Sequence, residues 1–354
     1  MTLTSPLRIA GTLALALAAA LSCAWARLPL PWMIGPLVAT AAASMRGAPT
    51  QSWNPLRNAA QWTIGAALGL YFTPQVAGLL ASLWWVIALG VVWALALGWA
   101  FGLWMYRNEA PRLGGTEHQK RATCYFAGSI GGASEMTLLA ERYGARTDLV
   151  AASHSVRLLL VTILVPFAFT FSGLHGLDPT APGPRVVHWG GLALLAAATG
   201  VGSLVMLRTG RPNPWFLGAL LVSMGLTTAG IELSALQQWM TNLAQLVIGV
   251  SLGVRFEARF VRTAPHWLLS VVLGTLGMIV LSACFAALLS LGTGVHPATM
   301  ALGTSPGGIS EMAITAKVLQ LGVPMVTALQ VCRLVAVLML VGPLFRWRYG
   351  RAAA

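Results

Sequence analysis

Charged residues are scarce in this sequence: Asp, Glu, Lys and Arg make up 9% of its 354 residues, whereas 57% are hydrophobic. A soluble domain carries about 25% charged residues. Several uninterrupted apolar runs approach the ~20 residues that a helix needs to cross a bilayer. Short segments of alternating polarity, which are typical of membrane β-barrels, are absent from the sequence. We therefore expect an all-α polytopic membrane protein, with the lipid bilayer as a partner.

Clustered metal ligands and paired cysteines are also missing. The four cysteines include no CxxC pair, and the six histidines show no i, i+4 spacing. Structural zinc sites and disulfide frameworks depend on such regular spacings. We therefore expect no resident cofactor and no metal centre, and we do not expect an enzyme.

The charges that are present are mostly positive, with a formal net charge of +13. A basic balance can indicate nucleic-acid binding. Here, however, the Lys and Arg residues form short clusters between apolar runs, as at 107–121 and 255–262. Cytoplasmic loops of membrane proteins have this pattern. We interpret the charge as orienting the chain in a bacterial inner membrane, with both termini cytoplasmic and no nucleic-acid partner.

One motif occurs twice in the chain. SIGGASEM at 129–136 returns as SPGGISEM at 305–312, with a constant offset of 176 positions. Two upstream segments recur in the same order: PWMIGPL from Pro31 as PWFLGAL from Pro214, and QWTIGAALGLYF from Gln61 as QLVIGVSLGVRF from Gln245. Segments that recur in one order indicate an internal duplication.

We predict two repeats, 1–176 and 177–354, that each cross the membrane five times in inverted orientations. Each glycine pair divides an apolar element, 122–141 or 297–316, into two pieces. Each piece would reach ~15 Å, about half of a ~30 Å hydrocarbon core. If these elements enter and return as helical hairpins, most Lys and Arg residues fall on the cytoplasmic side; if they cross, the two sides are nearly equal. We therefore predict re-entrant hairpins, an arrangement in which transporters build a shared substrate site.

Two glutamates lie deep in apolar sequence. Among the nine acidic residues, Glu135 and Glu311 are the ones placed inside apolar runs, and an intramembrane ionisable group indicates a functional site. Arg157 and Arg333, part-way along the following helices, are their expected partners. Two interpretations remain: ion pairs that fix hairpin to helix, or a site where arginine binds an anion while glutamate carries a proton.

Serines flank both glycine pairs, beside a helix N-terminus that suits an anion. Their hydroxyls either cap this helix end or bind the ligand, and a serine at such a position can do both. The candidate substrate- or ion-binding residues are therefore Ser129, Gly131, Gly132, Ser134, Glu135 and Arg157 in the first half, and Ser305, Gly307, Gly308, Ser310, Glu311 and Arg333 in the second.

The N-terminal apolar run from Ile9 to Ala26 has two interpretations. Because it ends in Ala24-Trp25-Ala26, it is similar to a signal peptide with a cleavage site of the A-x-A type. It is also long enough to span a bilayer and has a counterpart in the second half. We expect it to be retained as the first membrane helix.

At these residues the sequence resembles the AbrB duplication family of bacterial membrane proteins, over most of both halves. The resemblance rests on the repeated GG-[AI]-SEM motif with Arg157 and Arg333 downstream, and on the PW-x-x-G and IG-x-x-LG segments. Members of this family are described as regulators or as ammonia monooxygenases. The sequence offers neither the clustered metal ligands of an oxygenase nor room for a soluble DNA-binding domain.

The five-plus-five plan is similar to the superfamily of cation/proton antiporters and anion transporters. This similarity implies alternating access at the hairpins and, by analogy, a homodimer. The absence of aspartate from the apolar runs departs from sodium/proton antiporters. We predict a secondary active transporter of a small polar or anionic organic solute, coupled to H⁺ or Na⁺. The alternatives are a membrane sensor or regulator that binds a ligand at the same site without transport, and a membrane oxidoreductase subunit.

Overall fold

The computed structural model describes residues 5–174, 176, 186–210, 213–256 and 265–350, apart from the side chain of Ser134. These residues form fifteen α-helices and no strand. The helices are α1 (Ser5–Trp25), α2 (Pro31–Met45), α3 (Asn54–Gly69), α4 (Pro74–Ser82), α5 (Trp84–Glu109), α6 (Glu117–Gly128), α7 (Ala133–Arg142), α8 (Thr147–Phe171), α9 (Trp189–Arg208), α10 (Pro214–Thr228), α11 (Gln238–Gly253), α12 (Pro265–Thr293), α13 (Pro297–Thr304), α14 (Ile309–Val318) and α15 (Val323–Tyr349).

Six of the described helices, α1, α5, α8, α9, α12 and α15, are long and apolar enough to cross a membrane. The consecutive helices α3 and α4 pass the same criterion together, with a bend of 85° between them. The predicted all-α polytopic membrane protein is thereby confirmed. Because α2, α3, α10 and α11 have only 15 or 16 residues, the ten-crossing plan stays a prediction.

Three pairs of matching segments in the two halves form helices of equal length. Helices α2 and α10 both have 15 residues, and each follows a residue in the left-handed region, Leu30 (φ 46°) or Asn213 (φ 48°). Helices α3 and α11 both have 16 residues, and α7 and α14 both have 10. Proline begins α2 and α10, where its missing N–H and fixed φ suit the first helical turn.

The described residues within 5–82, 166–256 and 313–324 form one compact unit. Its repeated glycines pack helices of one half against helices of the other. A Cβ at Gly69 would lie 2.5 Å from the Ser223 Cβ on α10, and a Cβ at Gly253 would lie 2.7 Å from the Thr40 Cβ on α2. Small residues allow backbones to approach this closely. The glycines of the IG-x-x-LG segments therefore serve helix packing.

The described residues within 83–165, 265–312 and 325–350 form the second compact unit. Each unit thus draws on both sequence halves. Aromatic rings in this unit anchor the first glycine-pair region to α15: Phe126 and Tyr143 both pack against Phe345, at centroid distances of 5.4 and 5.2 Å. The Tyr125 hydroxyl also donates to the Val341 carbonyl at 3.0 Å. Both glycine pairs lie in this second unit.

Candidate functional site

A helix stops and a new helix starts at each copy of the motif. The chain leaves α6 at Gly128 and enters α7 at Ala133, and it leaves α13 at Thr304 and enters α14 at Ile309. The first linker residues, Ser129 (φ −57°, ψ 138°) and Ser305 (φ −61°, ψ 147°), have nearly the same extended conformation. The two glycine pairs therefore interrupt the helices at equivalent points.

The first glycine of each pair leaves room for a methionine. A Cβ at Gly131 would lie 2.8 Å from the Cγ and Cε atoms of Met136, and a Cβ at Gly307 would lie 2.8 Å from the Cγ of Met312. Both methionine side chains are fully buried. The methionine of each motif therefore packs against the first glycine of the same motif, in the space that a larger side chain at that glycine would occupy.

The second glycine of each pair leaves room for the glutamate. A Cβ at Gly132 would collide with the Glu135 carboxylate, and a Cβ at Gly308 would collide with the Glu311 carboxylate. Both glutamates lie in the first turn of their helix and fold back over its start. A negative charge at this place stabilises the helix through its macrodipole.

Burial of the acidic residues differs from the prediction at two places. Glu135 is partly exposed, whereas Glu311 is buried. Glu109, which the sequence places at a helix end, is 3% exposed and accepts a hydrogen bond of 2.6 Å from the Ser270 hydroxyl on α12. Packing of α5 against α12 buries this helix end, which the hydropathy of one segment does not reveal.

Two arginines cap the C-terminal ends of the helices that stop at the breaks. Arg157 donates to the carbonyls of Gly128 (3.4 Å) and Ser129 (3.0 Å). Arg333 donates to the carbonyls of Ser305 (2.5 Å) and Gly307 (2.6 Å). A helix that ends inside protein leaves its last carbonyls without partners, and a cation there is also favoured by the macrodipole. Both arginines are at most 5% exposed.

The expected ion pair between Arg157 and Glu135 is not observed. The ion pairs within the part of the chain that the structure describes instead involve Arg112, Lys120, Arg121 and Arg146. The physical reason is that the carbonyls at the break need donors and receive them from the guanidinium. In the second half, the Glu311 carboxylate accepts a hydrogen bond of 3.0 Å from the Ser310 hydroxyl.

The hydroxyls of Ser129 and Ser305 bond to the backbone of the helices that precede the glycine pairs. Ser129 donates to the Tyr125 carbonyl at 2.9 Å, and Ser305 donates to the Leu302 carbonyl at 3.0 Å. These hydroxyls therefore bond to backbone carbonyls of the helix that ends before the glycines rather than to backbone N–H groups of the helix that begins after them. Capping was one of the two expected roles, and ligand binding, the other, stays a prediction. A serine near a helix end commonly bonds to a preceding carbonyl. The side chain of Ser134, the remaining candidate, lies outside the described residues.

His154 and Gln330 complete the hydrogen bonding at the two breaks and were missed as candidates. They are 176 positions apart, which is the offset of the motif, and both are buried. His154 Nε2 lies 2.9 Å from the Phe126 carbonyl, and Gln330 Nε2 donates to the Leu302 carbonyl at 2.8 Å. The two side chains thus form hydrogen bonds with equivalent backbone carbonyls of the two halves. The constant offset pairs the two residues, but their different side-chain types gave no reason to expect the same role.

The histidine is held in one tautomer by its neighbours. Because Nε2 faces a carbonyl, it carries the proton, and Nδ1 accepts a hydrogen bond of 2.6 Å from Arg157. The two breaks together therefore contain two buried cations whose hydrogen bonds go mainly to backbone carbonyls.

No group of three or more His, Cys, Asp or Glu residues suited to a metal ion occurs in the described ranges. The free cysteines are Cys23, Cys124, Cys284 and Cys332. Around the breaks, arginine, glutamine, histidine and glutamate side chains supply hydrogen bonds and charge.

Comparison with known sequences places this arrangement in a family. Residues 32–349 match the family described as "Transition state regulatory protein AbrB". The chain belongs to the AbrB family. It is 25% identical over 347 residues to "Uncharacterized protein YhjN" of Bacillus subtilis (strain 168), covering 89% of this chain and 86% of that protein. It is 28% identical over 325 residues to "Putative regulator AbrB" of Escherichia coli (strain K12), covering 89% of each. The predicted family is confirmed.

Proposed function

We propose that this AbrB-family protein is a secondary active transporter of a small anionic or polar organic solute, coupled to H⁺ or Na⁺ and located in a bacterial inner membrane. The supporting observation is the pair of interrupted helices in one compact unit, each with a buried arginine at its break. Interrupted helices of this kind provide charged helix ends near the middle of a membrane.

The proposal includes re-entrant hairpins and inverted repeats. Helices α7 and α14 have 10 residues each, so each would cover ~15 Å of a ~30 Å hydrocarbon core. Irregular backbone at that depth requires protein or water around it. The linkers are buried or partly buried, and their hydrogen bonds to arginine and serine meet this requirement, which supports hairpins that enter and return.

The hydrogen bonds at the breaks suggest how binding and movement could be coupled. A guanidinium bonded to neutral carbonyls can exchange one of them for a carboxylate, because its positive charge is attracted to the full negative charge of the carboxylate as well as to the accepting oxygen. Such an exchange would release a carbonyl at a helix end and favour another arrangement of the break. Alternating access requires this kind of differential binding to two states.

A membrane-embedded ligand sensor is the second candidate. The regulatory description of the family and the name of the Escherichia coli relative favour it. A sensor would use the same buried cations to bind its ligand but would keep the site closed to one side of the membrane. The two candidates therefore differ in access to the site from the two sides.

Access can be tested with single cysteines in a background that lacks the four native ones. We would place a cysteine at Ser310, label intact cells and inverted vesicles with a membrane-impermeant maleimide, and repeat the experiment at several pH values. A transporter predicts labelling from both sides, at rates that change with pH or ligand. A cysteine at Ala48, an exposed loop position, is the control and should label from one side only. Labelling of Ser310→Cys from one side under every condition contradicts transport.

A further inference from the structure

The two breaks are built alike but are not chemically equivalent. In the first, both ring nitrogens of His154 have hydrogen-bond partners. In the second, Gln330 uses only its amide nitrogen, which donates to the Leu302, Gly303 and Ser305 carbonyls. Gln330 Oε1 and Arg333 Nε are buried atoms without a hydrogen-bond partner in the part of the chain that the structure describes.

These two atoms belong to side chains that meet at one point. Gln330 Nε2 and Arg333 Nη1 both donate to the Ser305 carbonyl, at 3.3 and 2.5 Å. The amide orientation is fixed, because exchanging its oxygen and nitrogen would place an acceptor against three carbonyls. Gln330 is fully buried and Arg333 is 5% exposed. An unused acceptor and an unused cationic donor therefore belong to two buried side chains that share one carbonyl partner.

Buried polar atoms in native proteins are nearly always satisfied, so each exception needs an explanation. A ligand that satisfies this pair must offer an acceptor to the arginine and a donor to the amide oxygen. The full positive charge of Arg333 favours an anionic acceptor, and Arg333 takes part in none of the ion pairs observed among the described residues. A carboxylate with a neighbouring hydroxyl group has both properties.

We propose that the second break is the binding site and that it takes a small hydroxy acid. The carboxylate binds Arg333 Nε–H, and the hydroxyl of the acid donates to Gln330 Oε1. The first break, where His154 is already satisfied, holds its helix end and binds no solute. This proposal deepens the transporter proposal and rests on it for the role of the site, but the binding itself can be tested separately.

The chain provides its own matched variants for the test. Gln330→His introduces the residue that performs the same capping in the first half, so the helix end keeps its donor while the free acceptor is lost. His154→Gln makes the reverse exchange at the first break. Purified full-length protein would be titrated by isothermal calorimetry with lactate, malate and glycolate. Their parent acids without the hydroxyl, propionate, succinate and acetate, are the reference probes.

We expect at least one hydroxy acid to bind wild-type protein tenfold or more tightly than its parent acid. A site that hydrogen-bonds a ligand hydroxyl discriminates strongly against the analogue that lacks it. Gln330→His should reduce this preference to about twofold or less, and His154→Gln should leave it unchanged. Should Gln330→His fold poorly by size exclusion, Arg333→Lys serves instead: it removes Nε–H and should weaken both acids of the pair, with their ratio kept.

Three results would overturn the proposal. One is the absence of binding for all six acids, which would mean that water alone occupies the second break. Another is a preference for the hydroxy acid that persists in Gln330→His. The third is a loss of this preference in His154→Gln to the same extent as in Gln330→His. Failure of transport is a separate result: if a hydroxy acid binds through Gln330 but Ser310→Cys labels from one side only, the binding proposal stands and the transporter proposal falls.

Discussion

The substitution Gly308→Ala tests the structural account of the motif. A Cβ at Gly308 would collide with the Glu311 carboxylate and would lie 3.2 Å from Leu158 Cδ1. The carboxylate must then leave the start of α14. Losing a charge at a helix N-terminus costs about 0.3–1 kcal/mol, and up to ~2 in partly buried geometries, while crowding of a packed region costs about 1–3 kcal/mol. Replacing glycine by alanine also lowers the conformational entropy of the unfolded chain, which offsets about 0.4–1 kcal/mol of this loss.

We therefore expect Gly308→Ala to destabilise the protein by about 1–3 kcal/mol. The assay is thermal unfolding of the purified protein in one detergent, followed by tryptophan fluorescence. The matched control is Gly277→Ala in α12, where an added Cβ meets nothing within 4 Å and the change should be neutral or slightly stabilising. Equal melting temperatures for the two variants would refute the reasoning.

A double-mutant cycle identifies the cause of the Gly308 effect. In a Glu311→Ala background the carboxylate is gone, so Gly308→Ala should cost less than it does in the wild-type background. Contacting residues typically show coupling of about 0.5–3 kcal/mol. If the cost of Gly308→Ala is the same in both backgrounds, the glycine is required for backbone conformation or for Leu158 rather than for the glutamate.

Three further substitutions extend the test to other parts of the chain. Arg157→Met removes the donors from the end of α6 and should lower stability by about 1–3 kcal/mol per carbonyl left without a partner, measured by the same melts; no loss would contradict the capping role. Gly253→Ala should cost about 1–3 kcal/mol, because its Cβ would lie 2.7 Å from the Thr40 Cβ, whereas Gly225→Ala, with nothing within 4 Å, should not. A hydrogen bond from the Tyr106 hydroxyl lowers the pKa of the Glu117 carboxyl, so this contact stabilises the start of α6 above the ordinary carboxyl pKa and is lost as pH falls through the lowered one. Protection of the first turn of α6 against amide hydrogen exchange, corrected for the intrinsic pH dependence of exchange, should therefore decrease in acid. Glu117→Gln should remove this decrease; the same decrease in the variant would contradict the assignment.

The sequence predicted the break points well because the signal there is local. A glycine pair in apolar sequence, repeated at a fixed offset, specifies an interrupted helix at Gly131-Gly132 and Gly307-Gly308. Small residues spaced four apart likewise specify close helix packing. Which helix receives them is a long-range property, and the observed pairing of α3 with α10 and of α11 with α2 does not follow from the spacing alone.

The partners of the buried arginines were harder to predict. Opposite charges in neighbouring elements favoured an ion pair between Arg157 and Glu135, but the competing demand came from backbone carbonyls, which sequence patterns do not display. His154 and Gln330 were not predicted for the same reason. They are equivalent in the backbone carbonyls they contact, whereas their side chains are of different types. The burial of Glu109 depends on the packing of α5 against α12 and is not encoded in either helix by itself.

Solute accumulation in proteoliposomes tests the central claim most directly. Purified protein would be reconstituted, loaded with buffer and given a radiolabelled hydroxy acid under an imposed pH or sodium gradient, with Arg333→Gln as the inactive control. The account predicts accumulation above the external concentration that collapses when an ionophore dissipates the gradient and that is absent in Arg333→Gln. If the acid binds the purified protein but never accumulates under either gradient, the protein is a sensor and the transporter account is wrong.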